Sequence, residues 1–152
     1  IAASFANGME YFNTFGGNPV SCRIGLAVLD VIRDEGLQER ALRLGERLAL
    51  GLARLSERHP IVGDVRGLGL FWGLELVKNR GTKEMLVPFN AGGEAAKPVA
   101  RMQKAALDAG LYLMTHWNVV MCCPPLTITR DELDEALDIL DDALTVADEY
   151  CA

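Results

Sequence analysis

The chain reads as an α+β fold, a small, mostly antiparallel sheet of three to four strands covered by helices. Three observations predict this. Apolar residues recur at helical spacing in four separate stretches. From Ile61 to Val77 the pattern switches to the two-residue period of a strand, and "LYLMTH" and "NVVMCC" are short apolar runs set off by turn residues. The resulting order is two helices, a strand pair or one long strand, a helix, two strands and a helix, which lets the helices return onto a sheet as one layer.

Composition bounds the possibilities. At 152 residues the chain is long enough for one ordinary domain with a core. With 50% hydrophobic and 24% charged residues it reads as globular and soluble rather than disordered. No apolar run of about 20 residues is present to span a membrane, and no basic-then-apolar leader opens the chain. The first residue is Ile1 rather than Met, so an upstream portion is expected. From Thr129 onward there are nine acids and one arginine, a net of −8 that leaves +2 for everything before it. Those acids interleave with periodic leucines, as on the wet face of an amphipathic helix. No basic stripe with interleaved aromatics points to nucleic acid. Cys22, Cys122, Cys123 and Cys151 form no Cys-x-x-Cys pair and neither histidine is near them, so no metal is expected. Reduced thiols in a cytoplasmic setting fit this pattern.

Along the chain, residues 1–13 lack periodicity; Asn7-Gly8 marks a turn and the aromatic run after it an extended segment. Gly16-Gly17 turns the chain into a helix capped by Asn18, with Pro19 at the first helical position, where its missing donor would be an orphan anyway. Val20, Ile24, Ala27, Val28, Val31 and Ile32 keep helical spacing and Gly36 supplies the stop. Free N–H groups and the dipole at such a helix start favour an anion, which the two glycines would let the backbone approach closely. The alternative is a well-made turn with no ligand.

A second helix is expected from about Leu37 to Arg58, with Leu37, Ala41, Leu44, Leu48, Leu52 and Leu55 inward and Arg43, Arg47, Arg54 and Arg58 on a solvated face with local ion pairs. His59-Pro60 ends it, with His59 as a terminal cation rather than a catalytic base. In the strand that follows, Leu68, Leu70, Trp72, Leu74 and Leu76 fall on one side. Gly67, Gly69, Phe71, Gly73 and Glu75 fall on the other, leaving room for something to pack close, such as a helix or a neighbouring backbone. Arg66 and Glu75 mark an interface or solvent-facing strand ends. Lys78 to Lys97 reads as a long loop. Pro98 restarts a helix to Ala109 with Val99, Met102 and Ala106 inward and Gly110 as cap. Two strands separated by Trp117-Asn118 follow, the second broken by Pro124-Pro125. The closing helix carries a capping box, Thr129-x-x-Glu132, and a stripe of Leu133, Leu137, Leu140, Leu144 and Ala147.

The blocks "NTFGGNPVSC", "GLAVLDVI", "VRGLGLFWGLEL" and "CCPPLTITRDELDEALDIL" stand in an order that resembles the C-terminal part of class III (omega-type) aminotransferases. These are pyridoxal 5'-phosphate enzymes of fold type I, and the likeness covers nearly the whole chain. It implies that residues 1–18 are a segment arriving from a large domain and that residues 19–152 are the C-terminal small domain. It also implies a homodimer in which the "NTFGGNP" segment of one subunit reaches the cofactor phosphate held by the other. Carried onto this sequence, the phosphate contact is the hydroxyl of Thr14, with Asn13 beside it as a weaker candidate; the competing role for Thr14 is to stabilise the turn alone.

The same resemblance implies amino transfer between a small-molecule amine, or omega-amino donor, and a keto acid, with the cofactor as electron sink. The family's cofactor-binding lysine lies upstream of the matching region. None of Lys78, Lys83, Lys97 or Lys104 stands in its context, so no catalytic residue is expected on this chain, which alone should be inert. Many members carry an arginine three positions before the Pro-Pro pair that grips a substrate carboxylate bidentately. Here that position is Met121, the expected substrate-facing residue, which cannot form such a pair. The donor would then be an ω-amine, a sulfonate or a phosphoamine, or another residue reads the carboxylate. The segment also resembles the phospholyase branch, which eliminates phosphate. A stand-alone, non-catalytic α+β binding module is the remaining alternative.

Overall fold

A computed structural model describes residues 2–8 and 12–151. The extended reading of Met9, Glu10 and Tyr11 lies outside the described residues. The chain divides into two compact units, residues 1–36 and 37–152.

The first unit holds a short helix α1 (Ala2–Phe5), a bend at Asn7-Gly8 with Gly8 at φ +81°, and α2 (Pro19–Asp34). Asn18 caps α2 as its sequence position predicts, and Gly36 at φ +61° ends the segment.

The second unit begins with α3 (Leu37–Arg58), whose bounds match the expected helix residue for residue. Then come β1 (Val62–Leu68), β2 (Phe71–Asn79), a two-residue β3 (Glu84–Met85), a 3₁₀ turn (Gly93–Ala96) and α4 (Lys97–Asp108). The unit closes with β4 (Met114–His116), β5 (Val119–Cys122) and α5 (Arg130–Asp148). The strands form one antiparallel sheet in the order β1-β2-β5-β4, with β3 added to β2. The sheet thus has one strand more than expected, because β3 hides in the segment read as loop.

The expected alternating run is a hairpin rather than a long strand. Gly69, at φ +57°, and Leu70 make its turn, and the Trp72 indole N–H fixes it by donating to the Gly69 carbonyl at 2.7 Å. Sidedness therefore changes across the turn. Leu70, Leu74 and Leu76 are buried as expected, but Leu68 points out, 76% exposed. The close neighbours that the glycines predicted are the backbone of Phe71 and Trp72 at Gly67, β5 at Gly73 and α3 at Gly69. A Cβ on Gly45 would lie 2.3 Å from the Gly69 carbonyl oxygen, so the helix and the hairpin turn touch backbone to backbone.

The core lies between the sheet and α3, α4 and α5. Leu48, Leu52 and Leu55 of α3, Val99, Met102 and Ala106 of α4, and the whole predicted stripe of α5 meet Leu74, Leu76 and Val120 from the sheet. Each fully buried leucine there contributes about 1.5–3 kcal/mol. The capping box of α5 forms, with Glu132 N–H donating to the Thr129 hydroxyl and the Glu132 carboxylate accepting the Thr129 N–H at 2.8 Å. Those Thr129 hydrogen bonds hold the Glu132 carboxyl below its usual range.

The arginine face of α3 is less local than its spacing suggests. Arg43 pairs within the helix with Glu39, but Arg47 and Arg58 reach across to Asp134 and Asp141 of α5. Arg47 holds the Asp134 carboxyl below its usual range. Arg66 and Glu75 face each other across the β1–β2 hairpin, with Asp64 joining them.

Candidate functional site

The two predicted site regions lie one in each unit. In the first, the chain turns over residues 14–17. The Asn13 carboxamide oxygen accepts the N–H of Phe15 at 3.3 Å and of Gly16 at 3.0 Å, so Asn13 braces this turn. Its side chain folds over Gly16, where a Cβ would sit 2.9 Å from Asn13 Cγ. Gly17 takes φ +79°, a conformation that favours glycine. The turn is thus stabilised by Asn13 rather than by Thr14, whose exposed hydroxyl makes no hydrogen bond among the described residues.

The helix start differs from a generic anion site. Pro19 has no N–H, Val20 and Ser21 donate to the Asn18 side chain at 3.1 Å, and Cys22 donates to the Asn18 carbonyl at 2.9 Å. The donors that would greet an anion at a helix start are therefore already used. What remains for a phosphate is a side-chain donor on the turn, and Thr14 presents one.

In the second unit Met121 sits on β5, paired with Gly73 of β2 and Met114 of β4. It lines a cavity of about 580 Å³ with Phe71, Tyr112, Met114, Cys123 and Pro124, among others, closed on one side by Leu137 and Leu140 of α5. Its lining includes no charged side chain. Such a cavity selects by shape and apolar contact. Cys122 beside it is buried and its thiol is pushed up to about 12 by that burial, with Cys123 adding to the effect, so it stays protonated and unreactive. Phe71, Tyr112 and Met114 were not singled out by the sequence reading. They reach Met121 through the β2–β5 and β4–β5 pairings and strand neighbours, which no local motif announces.

Known proteins resemble both regions. The family model described as "Aminotransferase class-III" matches residues 1–144. An alanine–glyoxylate aminotransferase 2-like protein of Drosophila melanogaster is 41% identical over 138 residues, covering 90% of this chain and 27% of the relative. Ethanolamine-phosphate phospho-lyase homolog 1 of Caenorhabditis elegans is 35% identical over 149 residues, covering 96% and 30%. Among solved structures, the taurine:2-oxoglutarate aminotransferase of Bifidobacterium kashiwanohense, in complex with PLP and glutamate, superposes with a TM-score of 0.83 at 28% identity, covering 97% of this chain and 33% of that one. An amine transaminase from an uncultivated Pseudomonas species, in a PLP-bound form, gives 0.80 at 35% identity, covering 90% and 30%.

The chain belongs to the class-III aminotransferase family. It spans 27% to 30% of the length of these curated relatives. Among the described residues no helix is long and apolar enough to cross a membrane.

Proposed function

We propose that this chain is the C-terminal part of a pyridoxal-phosphate-dependent class III aminotransferase subunit. In this reading residues 1–18 arrive from a large domain and residues 19–152 form the small domain. The subunit passes an amino group between a small-molecule amine or omega-amino donor and a keto acid, works in the cytoplasm and acts as a homodimer. The observation that carries this is the family match over residues 1–144, joined to a turn whose one uncommitted side-chain donor is Thr14.

When bound, pyridoxal phosphate supplies the electron sink for moving the amino group. The work of this chain is to hold and to select. Thr14 donates its hydroxyl hydrogen to a phosphate oxygen of the cofactor held by the partner subunit, a charge-assisted contact. Asn13 keeps the turn rigid so that the hydroxyl is presented without loop reorganisation, which makes it a positioning residue in this role. Met121 gives the substrate side an apolar wall with no guanidinium to grip a carboxylate. No residue of this chain is assigned the proton transfers, and the chain by itself is inert.

The decisive measurement is cofactor affinity of the full-length subunit carrying Thr14→Ala. Hydrogen bonds to charged groups contribute about 1.5–3 kcal/mol, so affinity falls about tenfold or more. Unchanged affinity removes Thr14 from the site. Met121→Arg tests the second role. It raises kcat/KM for carboxylate-bearing donors about tenfold relative to a simple amine, the sign of a new bidentate contact, and an unaltered ratio separates Met121 from the substrate.

A second reading is phosphate elimination, supported by the relative named as a phospho-lyase homolog. Incubating the full-length subunit with a phosphoamine separates the two. Release of inorganic phosphate with no need for a keto acid supports elimination, and keto-acid-dependent amino transfer supports the first reading.

A further inference from the structure

His59 follows the last residue of α3 and is buried, 2% exposed. Both of its ring nitrogens face carboxylates of α5. Nδ1 lies 2.6 Å from Oδ2 of Asp148, and Nε2 lies 2.5 Å from Oδ1 of Asp141. The two acids stand seven positions apart, two helical turns on one face.

Every neighbouring group has a partner. The other oxygen of Asp148 accepts the Ile61 N–H at 3.3 Å, and the other oxygen of Asp141 accepts from Arg58 of α3. Arg80, just past β2, donates to the His59 backbone carbonyl at 2.7 Å. Among the described residues, the charged groups around the ring are two carboxylates from α5, one guanidinium from α3 on Asp141, and one guanidinium on the residue's own carbonyl.

The count of hydrogens decides what this arrangement is. Two nitrogen–oxygen contacts at hydrogen-bond distance need two hydrogens. A neutral imidazole carries one N–H and an ionised carboxylate carries none. A neutral ring would leave a nitrogen lone pair against a carboxylate oxygen in a buried site, where unpaired polar groups are costly.

We propose that His59 donates from both ring nitrogens, to Asp148 and to Asp141, and that this double contact is a latch that pins α5 to the end of α3. With the proton in place the ring donates to both aspartates and stands as a cation between two anions. The latch also bears on the cavity beside Met121, because Leu140, next to Asp141, and Leu137 one turn before it form part of the cavity wall. Losing either contact frees one side of the ring and loosens that wall.

The test uses the full-length subunit. In histidine-labelled protein at neutral pH, nitrogen NMR should show both His59 ring nitrogens bearing hydrogen; one bare nitrogen overturns the latch. Asp148→Asn supplies an independent check that does not require losing the histidine. An asparagine amide would satisfy a bare ring nitrogen, so a neutral ring predicts a variant as stable as the parent or more stable. The latch predicts a lower melting midpoint, by about 3 °C or more. An Asp148→Asn midpoint equal to or above the parent's defeats the proposal. Asp141→Asn, read against Arg58→Gln to separate the guanidinium's share, should behave in the same way.

Discussion

Two amphipathic helices, α2 and α3, are built on similar patterns and meet opposite fates. α3 buries Leu37, Leu48, Leu52 and Leu55, and even two of its glycines, Gly45 and Gly51, are buried. α2 buries no residue; Val20 is 68% exposed and Ile24 and Leu29 are 61% exposed. Periodicity therefore settles where a helix keeps its apolar stripe and says nothing about what covers it.

The largest way to break this contrast is to remove a buried side chain from α3. Leu52→Ala deletes a fully buried group and costs about 2–5 kcal/mol in denaturant unfolding. Gly45→Ala comes next. Its new methyl meets the Gly69 backbone, which cannot rotate away as a side-chain tip can, and the loss is about 1–3 kcal/mol. The smallest effect falls on α2, where Ile24→Ala changes the stability of this chain by about 0.5 kcal/mol or less, as at an exposed position. Repeating Ile24→Ala in the full-length subunit sharpens the contrast. A loss there comparable to that of Leu52→Ala means that the stripe of α2 is covered in the full-length subunit.

Much of the fold was legible because its helices announce their own ends. Asn18-Pro19, Gly36, Gly110 and the Thr129–Glu132 box are local devices, readable from neighbouring residues, and all act as read. The hairpin turn was not legible. Alternation runs unbroken through Leu68, Leu70 and Trp72, and the Gly69-Leu70 turn lacks the Asn-Gly or Asp-Gly signal that marks tight hairpins. β3 was missed because two residues carry no period. At the site, Thr14 and Met121 came from the family resemblance rather than from local physics. The neighbours of Met121 depend on strand pairing, and the surroundings of His59 depend on aspartates more than 80 positions away, 82 and 89 residues along the chain. The expectation of a terminal cation at His59 did not foresee its burial. Burial between two acids is a tertiary fact.

The pairing of β2 with β5 has a consequence for assembly. β1–β2 and β4–β5 are each local hairpins, closed over a few residues. The sheet becomes one object only at the seam where Trp72, Gly73, Leu74 and Glu75 meet Cys122, Met121, Val120 and Val119, with β3, the 3₁₀ turn and α4 lying between the two hairpins in sequence. Closing that long loop carries an entropic cost that neither hairpin bears, and non-local closures of this kind set folding speed. Met121 lies on the seam itself, so the strand that would face the substrate is held by both a local and a long-range pairing.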